Sequence, residues 1–340
     1  MTASASASAS PARAPEGADI EAAAARIAPH VRVTPVLPFE SDRARVELKL
    51  ECLQVSGTFK ARGAFARLLR ARDEARAEGR PVPERVVAAS GGNHGIAVAH
   101  AARALGVSAD VFVPRTSPEA KLARLRALGA TVHAVGDEYA QAWAASRDWA
   151  ADRGALESHA YDQFDTLAGQ GTLAREWLDQ SPDLDVLLVA VGGGGLIGGI
   201  AAWLDAVARA GRRVPRLVAV ESEGCPTLHA ALAAGRIVEI APSGRAADSL
   251  GARRVGELMF PLAQRRIERA VLVADDAIAA AQAALWRQAR VATEPGGAAA
   301  FAALASGAYR PADGERVGVL VCGANVDLRA LADTVDAAAT

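Results

Sequence analysis

Short apolar runs alternate with longer amphipathic stretches through most of the chain after residue 84. The apolar runs have the length of buried strands and predict strands at residues 85–90, 108–114, 131–135, 184–191 and 216–222. The stretches between them carry helical periodicity. Alternating strands and helices are typical of parallel sheets covered by crossover helices. We therefore expect an α/β protein with two open, twisted α/β domains and a binding cleft between them.

The first 84 residues are less regular. Residues 1–17 form a Ser/Ala/Pro-rich tract without an apolar centre, which predicts a disordered leader rather than a signal peptide. Asp19 is expected to cap a helix over 20–28. The alternation in VELKLECL predicts a strand over 46–53, and a helix is predicted over 59–78.

The composition excludes several classes of function. The 340 residues carry 38 basic and 39 acidic side chains, so no net charge attracts nucleic acid or an anionic membrane. Residues 186–204 lack charge, but four consecutive glycines divide them into a strand and a helix, which argues against a membrane span. The three cysteines form no C-x-x-C pair, so neither a zinc site nor a disulfide framework is indicated. We expect a cytoplasmic protein.

The glycine run Gly192–Gly195, followed by Leu196, lies between an apolar strand and a helix. Glycines there let backbone N–H groups converge on an anion at the helix N-terminus, which predicts a phosphate site. The alternative is a glycine turn that serves only tight packing. A second alternative is an NAD-dependent dehydrogenase, because Gly193, Gly195 and Gly198 fit G-x-G-x-x-G and Glu221 ends the next strand.

A second loop, Ser90–His94, stands between a predicted strand and the start of a helix. It offers a hydroxyl, an amide and backbone donors at a positive helix end, which suits a carboxylate. An ordinary helix cap is the alternative.

Lysine occurs only at positions 49, 60 and 121. Lys60 begins a predicted helix, where the helix dipole should lower the pKa of the amine, as a nucleophilic lysine requires. Lys49 in a strand and Lys121 in a helix are predicted to be solvated surface charges.

Cys322 ends an apolar strand before a tight turn. A free cysteine is most often a small buried hydrophobic residue. At a strand end beside a ligand ring, its thiol could instead hydrogen-bond a heterocyclic nitrogen.

Four segments, in this order and at these separations, resemble motifs of the fold type II pyridoxal phosphate enzymes: SGTFKARG (56–63), SGGNHG (90–95), GGGGL (192–196) and CGAN (322–325). The closest resemblance is to the threonine/serine dehydratases (ammonia-lyases), a group that includes serine racemase. Shorter matches occur at 34–35, 168–172, 247–248 and 294–297.

The resemblance implies a pyridoxal 5′-phosphate cofactor and a role for each matching residue. Lys60 would form the Schiff base beside Phe59, and Asn93 would hydrogen-bond the cofactor O3′. Gly192, Gly193, Gly194, Gly195 and Leu196 would hold the phosphate, and Cys322 would face the ring nitrogen. The loop that would bind the substrate carboxylate contains Ser90, Gly91, Asn93 and His94.

The resemblance also implies α,β-elimination of the hydroxyl of L-threonine or L-serine, giving 2-oxobutanoate or pyruvate plus ammonia. It implies a homodimer, with a large cofactor-binding domain (18–84 and 161–335) and a small domain (85–160). The short stretch after Glu294 leads us to expect no C-terminal effector domain and no feedback inhibition by isoleucine through one.

Three departures from the family pattern bear on specificity. Gly91 stands where serine racemases have a serine that acts on the opposite face of Cα, which disfavours racemisation. Glu221 matches the first ligand of a divalent-cation site found in some members, but Thr227 replaces the second carboxylate, so a cation is doubtful. Ser249 stands where glycine is commoner, which leaves other β-hydroxyamino acids, such as 3-hydroxyaspartate or a phenylserine, and serine racemisation as alternatives.

Overall fold

The computed structural model describes residues 13–39 and 44–338. Residues 1–12 of the predicted leader lie outside the described residues. The strands in these segments are β1 (Val36–Phe39), β2 (Arg45–Lys49), β3 (Arg85–Ala89), β4 (Ser108–Val113), β5 (Thr131–Ala134), β6 (Leu156–Glu157), β7 (Val186–Ala190), β8 (Arg216–Ser222), β9 (Ile267–Val273) and β10 (Arg316–Leu320). The α-helices are α1 (Gly17–Ile27), α2 (Lys60–Ala77), α3 (Asn93–Leu105), α4 (Glu119–Ala127), α5 (Tyr139–Arg153), α6 (Phe164–Gln180), α7 (Gly195–Arg209), α8 (Thr227–Ala234), α9 (Ala247–Leu250), α10 (Phe260–Arg266), α11 (Asp275–Ala289), α12 (Pro295–Ala305) and α13 (Leu328–Ala337).

The larger sheet has six strands in the order β1-β2-β10-β7-β8-β9. Its neighbouring strands are parallel except for the antiparallel edge pair β1–β2. The central strand β7 is buried along its whole length, because crossover helices cover both faces of a parallel sheet. This burial explains why its sequence, VLLVA, is continuously apolar rather than alternating.

The smaller sheet has four parallel strands in the order β5-β4-β3-β6. Together the two sheets confirm the predicted α/β class. Helix α2 contributes buried side chains, including Phe65 and Leu68, to the apolar core beside the smaller sheet. The division into domains at residues 84 and 161 stays a prediction.

Two predicted elements differ in their bounds. Helix α1 begins at Gly17, because Glu16 and Asp19 form a capping box in which the Glu16 backbone N–H donates to the Asp19 carboxylate at 2.9 Å. The strand predicted over 46–53 ends at Lys49 and is followed by a short 3-10 turn at Glu51–Leu53.

The uncharged stretch 186–204 divides into β7 and α7, as its glycines predicted. Among the described residues, no helix combines the length and apolar character that a membrane crossing requires.

Candidate active site at the carboxyl ends of the two sheets

Lys60 is the first residue of α2, and its side chain is partly buried. Its Nζ donates to the backbone oxygen of Ala160 at 3.1 Å and lies 5.0 Å from the centre of the Phe59 ring. Burial lowers the pKa of the Lys60 amine to about 8. The direction agrees with the prediction from the helix dipole, but desolvation is the main cause.

The glycine run forms the turn between β7 and α7. Gly194 caps α7 with a φ of +86°, a backbone conformation that favours glycine. A Cβ atom on Gly193 would lie 2.3 Å from the Tyr161 ring, and one on Gly195 would lie 2.7 Å from the Tyr161 backbone. The loop is therefore bare backbone at a helix N-terminus, the arrangement that suits a phosphate.

The chain between β6 and α6 connects the amine to this loop, since Ala160 accepts from Lys60 and Tyr161 packs on Gly193 and Gly195. A bare anion-binding loop beside a partly buried amine of lowered pKa fits a phosphorylated aldehyde cofactor. Lys60 lies at a helix start and the glycine run follows a strand, as predicted, and their roles toward a cofactor stay predictions.

The loop Ser90–His94 follows β3 and leads into α3. Ser90 Oγ accepts from the Gly92 backbone N–H at 3.3 Å. The His94 side chain is buried, and its Nε2 donates to the Ser158 backbone oxygen at 2.9 Å. Burial lowers the pKa of His94 to about 3, so its ring is neutral and adds no positive charge for a carboxylate.

Asn93 contacts a carboxyl group to which the sequence assigned no role. Its Nδ2 donates to Glu294 Oε1 at 2.5 Å, and burial raises the pKa of Glu294 to about 7. Glu294 precedes Pro295, the first residue of α12. The sequence signal that could have identified Glu294 is an acidic residue directly before a proline that begins a helix, in the segment EPGG.

Cys322 follows β10 and is buried, with Sγ 3.5 Å from the Gly296 backbone oxygen. Burial raises the pKa of the thiol well above its ordinary value, so it carries a proton at neutral pH. The Phe59 backbone N–H donates to the Cys322 backbone oxygen at 3.3 Å. This bond places Cys322, just after β10, beside the segment that carries Lys60.

The prediction that Lys49 is a surface charge is wrong. Its side chain is fully buried, and Nζ donates to Glu176 at 2.5 Å, Gln180 at 2.6 Å and the Thr34 oxygen at 2.8 Å. Glu176 and Gln180 belong to α6, so this helix end covers the face of β2 on which Lys49 lies. Burial lowers the pKa of Lys49 despite these partners.

Lys121 is partly exposed, as predicted, and its ion pair is with Asp248.

Glu221 is the penultimate residue of β8, and its carboxylate accepts from Thr227 Oγ1 at 2.9 Å, Leu228 N at 2.8 Å and His229 N at 2.7 Å. It therefore stabilises the N-terminus of α8, and its burial raises its pKa to about 7. The part of the chain that the structure describes holds no cluster of three His, Cys, Asp or Glu side chains suited to a metal. This donor set does not fit a divalent cation.

Aromatic side chains that sequence reasoning did not single out stand beside Lys60's partner Ala160. Tyr139 and Trp143 of α5 line a cavity of about 60 Å³ together with Ser158 and Ala160. Both side chains stay partly exposed, Tyr139 at 49% and Trp143 at 37%. Isolated aromatic residues in an amphipathic helix give no signal that they line a site.

Comparisons with known proteins agree with this geometry. The family described as pyridoxal-phosphate dependent enzyme matches residues 27–323. A phenylserine dehydratase of Ralstonia pickettii is 38% identical over 307 residues, covering 89% of this chain and 91% of that protein. An L-threonine ammonia-lyase of Thermotoga maritima is 33% identical over 283 residues, covering 83% and 68%. The structure of maize serine racemase has a TM-score of 0.84 at 32% identity, covering 95% of this chain and 98% of that one.

Proposed function

Because the chain belongs to the family of pyridoxal-phosphate dependent enzymes, within its ammonia-lyase and dehydratase group, we propose that it dehydrates L-threonine and L-serine. The products are 2-oxobutanoate or pyruvate, with ammonia. The observation that carries the proposal is the Lys60 amine, partly buried and of lowered pKa, beside a bare glycine loop and the start of α3.

Pyridoxal phosphate, when bound, withdraws electrons from the substrate Cα and makes its proton acidic. Lys60 would hold this cofactor, and its Nζ is the base that accepts the Cα proton. With a pKa of about 8, a substantial fraction of the amine is uncharged near neutral pH and can accept that proton. The backbone of Gly192–Gly195 would bind the phosphate.

The substrate carboxylate would bind at the start of α3. Backbone N–H groups there lack helical partners, and the helix dipole favours an anion. Ser90 Oγ adds a side-chain contact, and Asn93 contributes its backbone N–H at the helix start. The Asn93 side-chain amide would hydrogen-bond the cofactor O3′. His94 would contribute its backbone N–H, because its ring is neutral and bonded to Ser158.

Cys322 would face the ring nitrogen as a protonated thiol. A thiol does not keep that nitrogen protonated as a carboxylate does, which favours elimination over transamination. Gly91 has no side chain to return a proton to the opposite face of Cα, which disfavours serine racemisation.

The NAD-dependent dehydrogenase alternative is wrong. The family is a pyridoxal-phosphate family. In addition, the Glu221 carboxylate that would bind a ribose is fully buried and bonded to the start of α8.

A second candidate substrate is a 3-arylserine. Tyr139 and Trp143 line the cavity beside Ala160, and Tyr161 lies on the glycine loop. Aromatic walls favour an aromatic substituent, and the Ralstonia relative is named a phenylserine dehydratase. If this substrate is used, Tyr139→Ala should lower kcat/KM for L-threo-3-phenylserine more than for L-threonine. Trp286→Ala, at an exposed tryptophan of α11, is the control.

The test of the proposed function is 2-oxo acid and ammonia production from L-threonine and L-serine. Lys60→Ala should abolish both products, whereas Lys121→Arg, which keeps the charge of a partly exposed lysine, should retain them. Equal activity in Lys60→Ala and the parent protein would reject the proposal.

We also propose a cytoplasmic homodimer, on the resemblance to the dehydratases. Light scattering on the purified protein should give twice the chain mass of 35.0 kDa, and a monomeric mass would reject this assignment.

A further inference from the structure

The chain contains only two asparagines, and their side chains are hydrogen-bonded to each other. Asn93 begins α3 beside the smaller sheet, and Asn325 follows β10 of the larger sheet. Asn325 Nδ2 donates to Asn93 Oδ1 at 2.6 Å. Within the CGAN motif, the proposed function gives a role only to Cys322, so the contact between the two asparagines calls for a role of its own.

Two further contacts fix the orientation of the Asn325 amide. Its Nδ2 also donates to the Ser56 backbone oxygen at 3.1 Å, and a backbone oxygen can only accept. Its Oδ1 accepts from the Arg124 guanidinium, which can only donate. Both anchors require the same orientation, with the Asn325 NH₂ group toward Asn93.

The orientation of Asn325 determines that of Asn93. Since Asn93 Oδ1 accepts from Asn325, its NH₂ group points the other way, where one N–H donates to Glu294 Oε1 at 2.5 Å. The Glu294 carboxyl is 92% buried and held in place at the start of α12. An amide NH₂ has two hydrogens, so one N–H of Asn93 remains for an acceptor on a ligand.

Two glycines clear the space for this arrangement. A Cβ atom on Gly57 would lie 2.5 Å from Asn325 Oδ1, and one on Gly323 would lie 2.2 Å from Glu294 Oε1. The Ala324 N–H donates to the Gly57 oxygen at 2.9 Å, so the SGTFK and CGAN segments pair directly. Gly57 therefore makes room for the Asn325 side chain, and Gly323 makes room for the Glu294 side chain.

We propose that Asn325 is a positioning residue, which orients the Asn93 amide so that an N–H rather than the carbonyl faces the phenolic oxygen of the cofactor. This inference rests on the proposed function, which places Asn93 beside that oxygen. With the amide reversed, a carbonyl oxygen would face the phenolate oxygen, and a hydrogen bond to a charged acceptor would be lost.

The test is Asn325→Asp, which keeps the shape of the side chain but replaces the donating NH₂ by an accepting oxygen. Fluorescence titration of the cofactor-free protein with pyridoxal phosphate should show affinity lower by about 10- to 100-fold. The visible absorption of the bound cofactor should also weaken relative to its near-ultraviolet absorption. Arg124→Ala, at an exposed side chain, should shift both readouts in the same direction by a smaller amount. This variant replaces Asn325→Asp as the test if Asn325→Asp does not fold.

Arg126→Ala is the matched control, because Arg126 lies on the same helix and pairs with Glu119. In an Asn93→Ala background, Asn325→Asp should cause little further loss of affinity, because Asn325 acts through Asn93. An equal loss in both backgrounds, or an unchanged spectrum and affinity in Asn325→Asp and Arg124→Ala, would overturn the inference. A parent protein that takes up no pyridoxal phosphate would instead overturn the proposed function.

Discussion

Uptake of pyridoxal phosphate by the cofactor-free protein should depend on pH through Lys60. The amine must be uncharged to attack the aldehyde carbon of the cofactor. Burial lowers the pKa of Lys60 from 10.5 to about 8, because the charged form loses its hydration. At pH 7 roughly one Lys60 amine in ten is then uncharged, which is about 300 times the fraction for an ordinary lysine.

The assay mixes cofactor-free protein with pyridoxal phosphate in a stopped-flow instrument and follows the appearance of visible absorption. The rate should rise about tenfold per pH unit below pH 8 and level off above it. Nα-acetyl-lysine, measured in the same buffers, corrects for titration of the cofactor itself. A rate that still rises about tenfold per unit toward pH 10 would refute the reasoning, since the amine would then have an ordinary pKa.

Three further predictions concern the surroundings of the site. Glu51→Gln should lower the melting temperature by about 4 °C in calorimetry. The Glu51 carboxylate pairs with the buried Arg62, and loss of this ion pair costs about 3 kcal/mol. The control Glu21→Gln, at an exposed ion pair, should change the melting temperature by less than about 1 °C. Gly194→Ala should weaken pyridoxal phosphate binding at least about tenfold in a fluorescence titration, because φ is +86° and the new Cβ would lie 2.7 Å from a methionine methyl group. Gly211→Ala, with φ +74° and open space, should bind the cofactor like the parent. EDTA should leave activity and melting temperature unchanged, because the Glu221 carboxylate is already bonded to the start of α8; a loss restored by Mg²⁺ would contradict this.

The parts of the site that follow buried strands were predictable from the sequence. A glycine run after an apolar strand predicts a loop at the carboxyl end of that strand, and β7 and Gly194 are placed in this way. A lysine at a predicted helix start likewise placed Lys60 at the first residue of α2. These inferences depend on contacts within a few residues of each other.

The parts that depend on distant partners were not predictable. Lys49 occupies a polar position in an alternating strand, and its burial becomes comprehensible only with Glu176, 127 residues away. Glu294 reaches Asn93 across 201 residues, and the sequence gives no sign of that pairing. The predicted cap of α1 was also wrong by three residues. Asp19 was expected to cap the helix, but Glu16 is the cap and Asp19 is the third helical residue of its capping box.

The central claim is that Lys60 holds pyridoxal phosphate and that the protein eliminates the hydroxyl of a β-hydroxyamino acid. The most direct test is the visible absorption spectrum of the purified protein before and after L-threonine is added, with 2-oxobutanoate followed in the same cuvette. We predict a yellow protein whose absorption shifts on mixing while 2-oxobutanoate accumulates. A colourless protein that pyridoxal phosphate cannot reconstitute, or a yellow one that forms no 2-oxo acid from threonine, serine or phenylserine, would contradict the claim.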